Sequence, residues 1–127
     1  MKLRILIADD NAQFMRKMES VLETEFEIVA TVADGRAAVE SARRCHPDVL
    51  VLDLEMPELN GIDVTRSLTN HGTGPRAIIC SVETDPEIVE AALEAGALGY
   101  IFKSRIEIDL VLAVRSVARG QCFVSPN

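Results

Sequence analysis

Aromatic side chains are scarce: the 127-residue chain has no Trp, one Tyr and four Phe. Any core must therefore rest on aliphatic and alanine packing. Cysteine is equally thin. Cys45, Cys80 and Cys122 are an odd number without CxxC or Cys/His ligand spacing, which argues against a disulfide framework and a zinc site and suits a reducing compartment. Basic charge is short too, with 13 Lys and Arg against 20 Asp and Glu, a formal net charge of −7. So acidic a surface repels phosphate backbones and anionic lipid, so neither nucleic acid nor membrane is an expected partner of this segment by itself. The apolar start of MKLRILIADD meets two aspartates too soon for a signal peptide, and no run approaches a membrane span. A cytoplasmic location is expected.

What is present fits one domain with a real core, at 48% hydrophobic and 26% charged residues. Short β-branched apolar runs alternate with longer segments of helical period. Leu3–Ala8, Glu27–Val32, Val49–Leu52, Ala77–Cys80 and Gly99–Phe102 read as strands, and their unbroken apolar character is what strands covered on both faces require. Between them, Phe14, Met18, Val21 and Leu22 form one helical stripe, Val64 and Leu68 a second, Ile88, Ala92 and Ala95 a third. Ile106, Leu110, Ala113, Val114 and Val117 form the most regular. Arg36–Cys45 is the weakest, being mostly Ala. Gly35, Pro47, Asn60–Gly61, Gly72–Thr73–Gly74–Pro75 and Asp85–Pro86 punctuate the series. The alternation predicts five βα units, hence an α/β fold with a five-stranded parallel, doubly wound sheet. Residues 1–119 read as the domain, and the Gly- and Pro-containing stretch 120–127 as its end and the start of a linker.

In an open parallel sheet, ligands bind outside the carboxyl ends of the strands. Asp9–Asp10 close the first strand, Asp53 the third and Ser81 the fourth, while Lys103 follows the fifth. Each has an ordinary explanation: Asp10 or Asn11 as a helix cap, Asp53 as a loop carboxylate, Ser81 as a turn residue, Lys103 as a solvated charge. Together they do not, because three carboxylates at one spot raise each other's pKa unless a cation sits among them. A hard divalent ion fits. Mg²⁺ suits best, since it takes one or two carboxylates, keeps waters and shares phosphate oxygens. An ammonium, a hydroxyl and a metal around one aspartate can stabilise a phosphoryl group in transfer.

These motifs resemble, over nearly the whole chain, the receiver domain of two-component response regulators: ILIADDN, VLVLDLEMPELNGIDV, IICSVE and AGALGYIFKS occur in the family's order. The resemblance implies a flavodoxin-like sheet of order 2-1-3-4-5 and a phosphoacceptor at Asp53. It implies Mg²⁺ held by Asp9 (often through water), Asp10, Asp53 and the main-chain carbonyl of Glu55. Ser81 would read the phosphate, Lys103 would balance its charge, and Tyr100 matches the aromatic whose rotamer tracks phosphorylation. The implied partner is a sensor histidine kinase, and the implied output is transcription, with homodimer formation on phosphorylation. The chain would catalyse only its own phosphotransfer and dephosphorylation, without being a turnover enzyme.

The ending RSVARGQCFVSPN is similar to receivers of the NarL/FixJ-type subfamily, in which a helix-turn-helix DNA-binding domain follows; DNA would be bound only through that absent domain. An excised fragment is favoured over a stand-alone receiver. Two positions depart from the common pattern. Val82 replaces a small residue and is expected to narrow access to the acyl phosphate. Ser104 replaces a proline, which leaves the isomer of the preceding peptide open.

Three rival readings stand beside this one. Asp53-Leu54-Glu55 mimics the acid pair of haloacid-dehalogenase-type phosphatases, but after the third strand rather than the first. A nucleotide- or flavin-binding module would want a glycine-rich first turn, which ADDNAQF lacks. A pseudo-receiver serving as a scaffold is disfavoured by the full residue set.

Overall fold

Val49–Asp53 (β3) lies at the centre of the sheet, buried at every position, in a computed structural model that describes residues 2–69 and 74–126. The other elements are β1 (Arg4–Ala8), α1 (Ala12–Leu22), β2 (Glu27–Val32), α2 (Gly35–Cys45), α3 (Gly61–Leu68), β4 (Arg76–Ser81), α4 (Pro86–Glu94), β5 (Gly99–Phe102), α5 (Ile106–Ala118) and β6 (Phe123–Val124). A 3₁₀ turn, Lys103–Arg105, joins β5 to α5. All strands run parallel in the order β2-β1-β3-β4-β5-β6.

Strand side chains alternate between two cores, which is why the strands read as continuous apolar runs. Ile5, Ile7, Val49, Val51, Ile78 and Ile101 meet Met18, Leu22, Leu110, Val114 and Val117 of α1 and α5. Leu6, Leu50, Leu52, Ile79 and Tyr100 meet Ala38, Val39, Val64 and Ala92 of α2, α3 and α4. Burying a Leu or Ile fully contributes about 1.5–3 kcal/mol, so aliphatic residues carry most of both cores, joined by the buried rings of Phe26, Tyr100 and Phe102.

Helix starts are set by short polar side chains. Asn11 accepts from Phe14 N–H, Asp34 from Ala37, Asn60 from Asp63 and Asp85 from Glu87, each at 2.8–3.0 Å. Arginines at the first positions of two strands secure two helix ends. Arg4 Nη1 donates to the carbonyls of Cys45 and His46, and Arg76 Nη1 to those of Val117 and Ala118.

The sheet differs from the expected five strands by one. After α5 the chain turns back, and Phe123 and Ser125 donate their N–H groups to the carbonyls of Leu98 and Tyr100, both at 2.9 Å. Phe123–Ser125 therefore pair along β5 as a sixth strand. Gly35 also differs: it is the first residue of α2 and not a break before it. A Cβ there would stand 1.9 Å from the carbonyl oxygen of Leu59, so only glycine fits the approach. Gly72 and Thr73, read as turn residues, lie outside the described residues. Among the described residues, no helix is long and apolar enough to cross a membrane.

Candidate functional site

Five loops meet at the carboxyl edge of the sheet. β1 stops at Ala8 and hands on Asp9, which is 2% exposed, and Asp10, which is exposed. The Asp9 main chain stays in register by donating to Val32 at 3.0 Å. Its Oδ1 accepts the N–H of Asn11 at 2.8 Å, fixing the turn into α1. Asp53 ends β3, and Ser81 ends β4 one residue beyond Cys80, the register partner of Asp53. Lys103 opens the turn after β5.

Lys103 ties the group together. Its Nζ stands 2.8 Å from Asp9 Oδ2 and 3.2 Å from Asp53 Oδ1, with the lysine only 6% exposed. The ammonium also lies 4.2 Å from the centre of the Phe14 ring, a cation–π contact that supports it from the α1 side. Burial alone pulls this lysine down, but its contacts with Asp9 and Asp53 outweigh that and hold the ammonium above its ordinary pKa.

Carboxylate oxygens of Asp9, Asp10 and Asp53 all lie within 4.8 Å of one another. One ammonium faces three carboxylates, so the cluster is short of positive charge. Asp53 shows the strain: burial first, then the Asp9 charge, push its pKa from 3.8 up to about 6 against the opposing pull of Lys103. Asp9 Oδ2, fully buried, faces the Lys103 ammonium at 2.8 Å and has no further partner among the described residues. A hard cation answers both features, and oxygen donors of this kind are what Mg²⁺ selects.

Asp10, Asp53 and Lys103 line a cleft of about 460 Å³ whose walls also include Glu55, Met56, Ser81, Val82 and Phe14. Ser81 is 3% exposed, lines the cleft, and its Oγ accepts the Glu83 N–H at 3.0 Å. Glu55 is exposed at the rim. Val82 is 74% exposed and lines the mouth of the cleft. Among the described residues no peptide is cis, and the bond between Lys103 and Ser104 is trans.

Tyr100 lies just behind the site. It is fully buried, packs edge-on against Phe102 with ring centres 6.0 Å apart, and donates its hydroxyl to the Glu83 carbonyl at 2.8 Å. Burial pushes the phenol's pKa up, so it remains a donor. The structure thus brings Asp10, Asp53, Ser81 and Lys103 to one cleft, with Asp9 buried behind them against Lys103, Glu55 on the rim and Tyr100 beneath. Sequence reasoning missed Phe14 at the site. As the first residue of an apolar stripe it reads as core, and no pattern distinguishes a ring that also faces an ammonium.

Known proteins resemble this chain in sequence and fold. Residues 5–115 match the family described as the response regulator receiver domain. The transcriptional regulatory protein DegU of Brevibacillus brevis is 35% identical over 99% of this chain and 54% of its own length. The oxygen regulatory protein NreC of Staphylococcus epidermidis is 35% identical over 96% of this chain and 57% of its own. The chain thus spans little more than half the length of these relatives. The receiver of NarL from Mycobacterium tuberculosis superposes with a TM-score of 0.89 at 30% identity, covering 94% of this chain and 98% of that one. A LuxR-family regulator from Aurantimonas gives 0.92 at 30% identity, covering 99% and 91%. From its parallel sheet, its acidic cleft and these likenesses, the chain belongs to the response regulator receiver domains, among those of NarL-, DegU- and NreC-type regulators.

Proposed function

We propose that this receiver takes a phosphoryl group from a phospho-histidine of a sensor kinase onto Asp53 and thereby switches an output. The observation that carries the reading is the position of the Asp53 carboxylate. It touches Lys103 at 3.2 Å and opens onto the cleft that Ser81 lines, at the centre of the sheet edge. Asp9 is directed to Lys103 and the Asn11 N–H, and Asp10 lies out on the rim side of the cluster.

In the step, an Asp53 oxygen forms a bond to phosphorus as the bond from phosphorus to the imidazole nitrogen breaks, and that nitrogen keeps the electron pair. Lys103 balances the charge on the arriving phosphoryl oxygens, and the Ser81 hydroxyl donates to one of them. Asp9, Asp10, Asp53 and the Glu55 carbonyl would hold Mg²⁺, which when bound supplies charge neutralisation at the phosphoryl group. Water later cleaves the acyl phosphate, so the protein returns to its starting state without turning over a substrate. Residues 1–119, with the strand that follows them, would form the receiver unit.

Relatives of this chain are named transcriptional regulators, so control of transcription in the cytoplasm is the proposed output, through a DNA-binding domain beyond the receiver and a homodimer formed on phosphorylation. Incubation with acetyl phosphate and Mg²⁺ tests the core of the proposal. Intact mass should show one added phosphoryl group, labile to hydroxylamine, and Asp53→Asn should abolish it without changing the circular dichroism spectrum. Equal labelling of the mutant, or none of the parent, rejects the phosphoacceptor reading and favours a scaffold.

A further inference from the structure

Asp109 is a buried carboxylate that the proposed chemistry does not use. It sits in the first turn of α5, 3% exposed, away from the acidic cluster. Ser125, 3% exposed, donates its Oγ hydrogen to Asp109 Oδ2 at 2.7 Å and accepts the N–H of Phe102 at 3.1 Å. Arg105 Nε donates to the same Oδ2, also at 2.7 Å. These bonds enclose one short stretch. Phe102 immediately precedes Lys103, and Arg105 follows it by two residues. The Ser125–Asp109 pair therefore holds the backbone just before the lysine that reaches into the cleft and the Arg105 side chain just after it.

We infer that Ser125 and Asp109 are positioning residues for Lys103: they fix the Phe102–Arg105 turn so that the ammonium meets Asp9 and Asp53. A lysine side chain is long and rotatable, and its charge is placed only as well as its Cα is held. The 2.8 Å and 3.2 Å contacts to two different carboxylates leave little slack. The turn itself gives scant support, being a single 3₁₀ segment with no side-chain cap. The arginine and the serine also draw the Asp109 pKa down against burial, so the clasp is ionised and charge-assisted at neutral pH. Residues 123–125 thus belong to the phosphorylation machinery by position, although they touch no reacting atom.

The inference deepens the reading of Asp53 as phosphoacceptor, and its test separates the two. The ¹³Cε/¹Hε resonance of Lys103 is recorded in the full chain without donor, alongside acyl-phosphate formation from acetyl phosphate and Mg²⁺. Ser125→Ala should shift the resonance and slow labelling roughly tenfold, short of the ~100-fold that an ångström of misplacement can cost. Ser125→Thr, which keeps the hydroxyl, should restore both. Val49→Ala, a core change at the far end of β3, serves as a control for lost stability and should move neither. An unmoved Lys103 resonance in Ser125→Ala, or equal slowing in Val49→Ala, overturns the inference. If the parent takes no label, the phosphoacceptor reading falls, and the resonance by itself decides the clasp.

Discussion

Tyr100 and Glu83 are joined by a 2.8 Å hydrogen bond from the phenol to the main-chain carbonyl, tying β5 to the loop between β4 and α4. The ring is fully buried, so the inward rotamer fastens the segment that also gives Ser81 its Glu83 N–H partner.

Tyr100→Phe removes this bond and leaves the packing with Phe102 intact. The expected loss is about 1 kcal/mol of stability, as for one neutral hydrogen bond, read as a lower urea midpoint. Amide exchange between Ser81 and Asp85 should quicken. An unchanged exchange rate there would show that the hydroxyl does not hold the loop.

The acidic cluster predicts an unusual pH response in metal-free protein. Asp53 has its folded pKa raised, to about 6 from 3.8, so between these values the folded state binds more protons than the unfolded. Stability therefore falls as pH rises through that window and stays lower above it. Asp53→Asn should be more stable than the parent at neutral pH, by about 1–2 kcal/mol after allowing for solvent screening. The gap should close below pH 4. Mg²⁺ should raise the parent's melting temperature and do little for the mutant. A parent that is no less stable than Asp53→Asn at neutral pH would contradict the crowding of charge.

Glu55 stands exposed on the cleft rim, two residues after Asp53. A carboxylate on that rim can accept a hydrogen bond from a water attacking the proposed acyl phosphate. Glu55→Ala should lengthen the phosphorylated half-life severalfold, roughly 1 kcal/mol of barrier, while labelling still occurs. An equal half-life would leave only the main-chain carbonyl with a role.

Gly61 begins α3 against the end of β3. A Cβ there would stand 2.4 Å from the Asp53 carbonyl oxygen, and a backbone atom cannot yield as a side-chain tip does. Gly61→Ala should cost roughly 1–3 kcal/mol as overpacking, measured by denaturant titration. It should slow labelling as well, because the displaced main chain is that of Asp53.

β1, β3, β4 and β5 were legible because they are buried on both faces and read as nearly uninterrupted apolar runs. β2, half exposed at the sheet edge, was legible from the β-branched residues of Ile28–Val32. Their ends were less so: Asp53, Arg76 and Ser81 are polar but remain in the ladder, held by pairing that no propensity reports. α2 read weakly because its buried positions are Ala38, Ser41 and Ala42 beside a single Val39; small side chains let it lie close to the sheet. β6 was invisible. Phe123–Val124 is two residues between Gly120 and Pro126, and only contacts to Leu98, Tyr100 and Asp109 make it a strand. The gathering of Asp9, Asp10, Asp53, Ser81 and Lys103 followed from where parallel strands end. Phe14 did not, because its ring serves core and site at once.

The strand at Phe123–Val124 also has a bearing on solubility. β5 is Gly-Tyr-Ile-Phe, apolar and buried throughout. Without a neighbour its outer row of N–H and C=O groups would be a template for strands of other molecules. With the neighbour in place, the edge left on that side is two residues long and ends near Pro126, which can donate no hydrogen bond to an incoming strand. A chain trimmed at Arg119 would bare the apolar edge of β5 and invite aggregation. Phe123–Ser125 thus shield the β5 edge from edge-to-edge association.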